Sequence, residues 1–196
     1  MDAAVQTPGL MTLAEFLAWD APPGRRWQLV DGEPRAMAPG NETHGTIQAT
    51  MIALLWTHLR ASRPDCRVVS EPGIVPKVGS DDNYRIPDLL VTCAPNQRGR
   101  LIVPDPILLV EILSPSNRAE TWTNVWAYTT IPSVREILIV HAEAVRAQLL
   151  RRGPDGTWPD TATLIESGLL TLDSIELTVP VTDLYAGTWL LENPSP

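Results

Sequence analysis

Lysine is almost absent from this chain. Its 196 residues carry fifteen basic side chains, and Lys77 is the single lysine among fourteen arginines. The formal net charge is −8. Non-specific nucleic-acid affinity comes mainly from Lys and Arg contacts to phosphate. The charge balance therefore argues against tight, sequence-independent binding, while leaving room for a local basic groove. Cysteine is equally scarce. Cys66 and Cys93 alone make no disulfide framework, and no His/Cys spacing suggests zinc. No apolar run is long enough to cross a bilayer, and no basic-then-apolar leader opens the sequence. No membrane association and a cytoplasmic location are expected.

What is present centres on residues 84–128. Two short apolar runs, residues 89–91 and 107–113, are β-compatible and bounded by prolines. Each has a carboxylate: Asp88 at the start of the first, Glu111 inside the second. A carboxylate in a buried strand is costly unless paired, protonated or metal-bound. Taken singly, either acid can be structural, at a strand end or in an ion pair. Together, on neighbouring strands, they can hold a divalent cation with oxygen ligands.

The rest of the chain supports one α/β domain with mixed α+β character over residues 12–190. A flexible lead-in (1–11) and a tail (191–196) are expected on either side. Thr12 and Glu15 have capping-box spacing, with Met11 and Phe16 at the staple positions. Asp31-Gly32 predicts a hairpin between residues 27–30 and 33–37. Ile47, Met51, Leu54, Leu55 and Leu59 form one face of a helix over 43–60. Residues 67–78 read as an edge strand with prolines at 72 and 76. A helix over 118–130 follows Pro115. Residues 134–140 and 144–151 read as an antiparallel pair, 163–165 and 175–177 as short strands, and 181–185 as a helical turn. The hairpin, edge strand and acid-bearing strands are expected to share a central mixed sheet flanked by the two longer helices.

The ordered blocks WQLVDGEP (27–34), His44, Pro87-Asp88, Glu111, Ser114-Pro115-Ser116 and the helix ending at Tyr128 resemble the Uma-two family. That family belongs to the PD-(D/E)xK restriction-endonuclease-like superfamily. The resemblance covers nearly the whole chain. It implies a restriction-endonuclease-like core, Asp88 and Glu111 as ligands of Mg²⁺ or Mn²⁺, and hydrolysis of DNA. It also implies an acid and a lysine four residues apart on the helix after the Glu strand. Here those positions are Glu120 and Asn124, which still share a helix face. Position 113, two beyond Glu111, is leucine, and Gln28 stands where the family commonly has Glu. Asn can hydrogen-bond a water but cannot offset anionic charge. The resemblance thus implies a metal-dependent DNA endonuclease weakened or inactivated at Asn124. The alternative is a degenerate member acting as a nucleic-acid-binding or protein-interaction module, with a homodimer as a possible assembly.

Several residues have competing roles. Lys77 is the one amine able to replace the missing charge. A register placing Val75 opposite Asp88 brings Lys77 diagonal to Asp88; an edge lysine that discourages aggregation is the plainer alternative. His44 reads as surface or capping more readily than as a site residue, and Asp31 reads first as a turn residue. His58 reads as packed and His141 as a strand end. Trp122 and Trp126, at helical spacing, read as core rather than as stacking platforms.

Overall fold

The structure, a computed structural model, describes residues 9–115 and 117–192. The expectations for residues 1–8, Ser116 and 193–196 lie outside the described residues. The chain opens on α1 (Leu13–Ala18), where Thr12 caps Glu15 and the Glu15 side chain returns the bond. Met11 and Phe16 lie in one small apolar cluster with Trp27 and Leu29. The hairpin is β1 (Trp27–Val30) and β2 (Glu33–Ala36). Asp31 (φ 51°) and Gly32 (φ 79°) both take positive φ at its turn, as a type I′ turn requires.

The main sheet has six strands in the order β3-β4-β5-β6-β7-β8. These are β3 (Arg67–Ser70), β4 (Leu89–Thr92), β5 (Pro106–Leu113), β6 (Glu136–His141), β7 (Ala147–Arg151) and β8 (Thr163–Ile165). Only the β5–β6 pair is parallel, and the sheet is therefore mixed. Helix α3 (Arg118–Tyr128) makes the crossover between those two strands, as a parallel pair demands. Helix α2 (Glu42–Ser62) lies on the other face, capped by the Asn41 side chain on the His44 N–H.

Alternation along the strands sorts the core into two layers. Leu89, Val91, Leu108, Val110 and Ile112 pack with Ile47, Met51, Leu55 and Leu59 of α2. Leu90, Leu109 and Leu113 pack with Val125 and Tyr128 of α3. Glu111 falls between Leu109 and Leu113, so its period places it on the α3 side.

Some expectations need correction. The β1–β2 hairpin forms its own two-stranded sheet, tied to the remainder by a Leu29–Tyr84 bridge. The strand expected over 67–78 stops at Ser70, because Glu71 turns to φ 47°. Two isolated bridges, at Gly73 and Ile74, continue the path. The expected strand 175–177 is instead a second hairpin, β9 (Leu169–Leu172) with β10 (Leu177–Pro180), and Ile175 lies in its turn. A 3-10 helix (Val181–Tyr185) and α4 (Trp189–Glu192) end the described chain. Trp126 is 47% exposed rather than core. Cys66 and Cys93 form a disulfide, since the pairing of Arg67 with Thr92 brings the next residues out face to face. Among the described residues no helix is long and apolar enough to cross a membrane.

Candidate active site

The β4–β5 register pairs Leu89 with Val110. One residue further out, it sets Asp88 across from Glu111, where opposing Cβ atoms lie roughly 4.5–5.5 Å apart. Asp88 is firmly held. Its Oδ2 accepts the Ile112 N–H at 2.6 Å, and its Oδ1 lies 3.2 Å from His44 Nε2. Its carbonyl oxygen accepts from the Glu71 N–H and, at 3.2 Å, from the Gln48 side chain.

Glu111 is 5% exposed. Its Oε1 accepts the Tyr128 hydroxyl at 2.6 Å, and the Asn124 side chain lies near enough to favour its charged form. Helix α3 makes this possible by spacing. Glu120, Asn124 and Tyr128 recur every four residues and share a face. Above them the Gln28 side chain of β1 donates to Glu120 Oε1. Arg85 completes the wall, donating from Nη1 to Asn124 Oδ1 at 3.2 Å and from Nη2 to Asn83 Oδ1 at 2.6 Å.

Burial pushes the Glu111 carboxyl well above its ordinary value, and the charges of Asp88 and Glu120 push it further. The Tyr128 and Asn124 hydrogen bonds oppose this shift without cancelling it. The Tyr128 hydroxyl is itself driven well up, first by burial and then by the charge of Glu111. It stays a donor across the physiological range.

A second buried strand acid shows what a structural carboxylate looks like here. Glu136 is 1% exposed. It accepts from Arg151 Nε at 2.7 Å and from the backbone N–H groups of Asp173 and Ser174 at 3.1 and 2.8 Å. Its charge is answered by a cation and two amide dipoles. Glu111 has a phenol and an amide, and it faces two more acids.

The structure thus brings Asp88, Glu111, Glu120 and Asn124 together, and it does not bring Lys77 to them. Ile74 pairs with Arg85, and Glu71 donates to Asp88. The register is four residues from the one that would set Lys77 diagonal to Asp88. Lys77 is exposed, and its backbone N–H bonds Thr130 Oγ1 at 3.0 Å. Thr130 lies ten residues beyond Glu120, about 15 Å along a helical rise. His44, expected at the surface, is instead against Asp88. Gln28 has a partner in Glu120, and Asp31 is the turn residue expected. Arg85 and Tyr128 had no assigned role. Tyr128 carried a signal in its spacing of four from Asn124; Arg85 carried only its position three before Asp88.

The donor set fits a hard divalent cation. Two adjacent carboxylates disfavour one another's charge, and a cation between them reverses that penalty. Among the described residues no three His, Cys, Asp or Glu side chains gather into a closed metal cluster. An open pair suits Mg²⁺, which keeps several waters and uses one or two carboxylates plus phosphate oxygens. Gln28 Oε1 is buried with no donor among the described residues, so a further polar acceptor lies beside Glu120.

The chain is similar to known proteins along most of its length. A family model, Uma2, described as "putative restriction endonuclease", matches residues 13–182. Over 175 residues the chain is 29% identical to an uncharacterized protein of Synechocystis sp., spanning 88% of this chain and 90% of that one. The fold is similar to the crystal structure of a putative nuclease belonging to DUF820 from Anabaena variabilis. The TM-score is 0.72 at 17% identity, covering 90% of this chain and 98% of the other. That likeness is one of fold.

Proposed function

Because the chain belongs to the Uma2 family, we propose that it is a divalent-metal-dependent nuclease that hydrolyses DNA phosphodiesters at the Asp88–Glu111 pair. One observation carries this reading: Glu111 is a buried carboxylate set opposite a second carboxylate, with no ion-pair partner among the described residues. Such an arrangement is destabilising by itself and makes sense as a site for a cation.

Asp88 and Glu111 would hold Mg²⁺ or Mn²⁺. When bound, such an ion polarises the phosphodiester and lowers the pKa of a water. The chain's own residues set the geometry. The Ile112 N–H fixes one oxygen of Asp88, and Tyr128 fixes one oxygen of Glu111, leaving their remaining lone pairs for the cation. Gln28 holds Glu120 beside them. His44 stands against Asp88, where a ring nitrogen can orient the carboxylate or pass a proton. The family description and the fold support a nuclease; the metal and DNA as substrate belong to this proposal.

The test is conversion of supercoiled plasmid to nicked circle with Mg²⁺ or Mn²⁺. Nicking should be lost with chelator and in Asp88→Asn. Plasmid binding without nicking, unaffected by chelator, would favour a binding module instead. Nicking that survives in Asp88→Asn would refute the assignment of the pair.

A further inference from the structure

Arg85 is 3% exposed. Among the described residues it has no carboxylate within 4.0 Å, and its contacts are two neutral side-chain oxygens, on Asn83 and Asn124. Its Nε has no partner among them either. A buried guanidinium is costly when left without a counter-charge in contact. Arg85 nevertheless lies where Asp31, Glu120 and Tyr128 all feel its charge, with Arg35 the opposing cation. Asn83 links it to the hairpin turn through Asp31. The Arg85–Asn124 contact also fixes which way the Asn124 amide points. A guanidinium offers only donors, so Asn124 must turn Oδ1 toward Arg85. Its Nδ2 then faces toward the Glu111 carboxylate, whose charged form it favours.

We propose that Arg85 is the positioning cation of this site: it locks the Asn124 amide toward Glu111 and supplies, from behind Asn124, the positive charge that offsets the cluster of acids. The inference rests on the reading of Asp88 and Glu111 as the reactive pair. Its consequence is specific. A lysine at 124 would not simply restore charge, because its ammonium would be set against the Arg85 guanidinium. A lysine there is compatible only when Arg85 is removed.

The test uses Arg85→Met, Arg85→Lys, Asn124→Lys and the double variant Arg85→Met/Asn124→Lys in the full chain. Without metal, hydrogen exchange of the Asn124 side-chain amide is followed by ¹⁵N NMR. Exchange should be slow in the unaltered protein and in Arg85→Lys, and faster by about tenfold or more in Arg85→Met. In plasmid nicking, Arg85→Met should lower kcat by on the order of tenfold with KM little changed. Asn124→Lys alone should melt below the unaltered protein, and the double variant should recover both melting temperature and nicking. Unchanged amide exchange in Arg85→Met overturns the proposal. So does a double variant no better than Asn124→Lys. Should Arg85→Met not fold, the melting temperatures of Asn124→Lys and the double variant decide the matter. If the unaltered protein does not nick DNA, the nuclease reading fails, and amide exchange still decides the role of Arg85.

Discussion

Replacing Tyr128 by Phe isolates the strain on Glu111. Tyr128 is fully buried, and Phe keeps its ring, so packing is preserved. Only the 2.6 Å bond to Glu111 Oε1 is lost. A bond to a neutral carboxyl contributes about 1 kcal/mol, and one to a charged carboxylate about 2 kcal/mol. At this chain length that corresponds to a drop in melting temperature of roughly 2–4 °C and 4–8 °C. The direction with pH follows from linkage. The folded-state pKa of Glu111 is raised by burial and by its acidic neighbours. The stability it contributes is complete below its unfolded value near ~4.3 and is lost as pH climbs toward the folded value. The Tyr128 bond holds that folded value down, so Phe moves it further up and lengthens the decline. The two proteins should therefore lose stability in parallel above pH ~4.3, and the gap between them should widen once the pH passes the raised folded value of the unaltered protein. Denaturant unfolding of metal-free protein across that range measures it. A gap that is constant with pH, or absent, would refute the claim that the hydroxyl serves a strained carboxylate.

Other perturbations have distinct outcomes. Glu111→Gln should stabilise the metal-free protein above about pH 5 and flatten its fall in stability with rising pH, seen in melts at several pH values. Glu136→Gln should cost about 2 kcal/mol in denaturant unfolding, since it weakens a carboxylate that accepts three bonds. The partly exposed Arg151 adds little as an ion pair. Calorimetry should find the Mn²⁺ affinity of that variant unchanged. Reducing the Cys66–Cys93 disulfide, which spans 27 residues, should lower stability by about 3.5 kcal/mol through loop entropy, measured with and without reductant.

Local chemistry made much of the fold legible. The Thr12–Glu15 box, the Asp31-Gly32 turn and the two acid-bearing strands each have a short-range cause. The β9–β10 hairpin had none so clear: Leu169–Leu172 follows Gly168 without the polar alternation that marks a strand. Register was the least legible quantity. The 71–88 segment has too little regular alternation to choose between pairings; the register of Ser70 against Leu89 carries through to Ile74 against Arg85, and that pairing keeps Lys77 from the site. The rule that a carboxylate in an apolar strand marks a site is also incomplete. Glu136 opens an apolar run as Asp88 does, and its partners Arg151, Asp173 and Ser174 come from distant segments. Arg85 was hidden for the same reason, since its value lies in reaching Asn124, 39 residues on.

Asp88 and Glu111, held together at a cost in stability, are proposed to serve a divalent cation. Calorimetric titration of Mn²⁺ into the unaltered protein and into Glu111→Gln tests this directly. One site is expected in the first and none in the second, with the folded state of both confirmed by melting. Equal binding by the two proteins, or no binding by the unaltered protein, would contradict it.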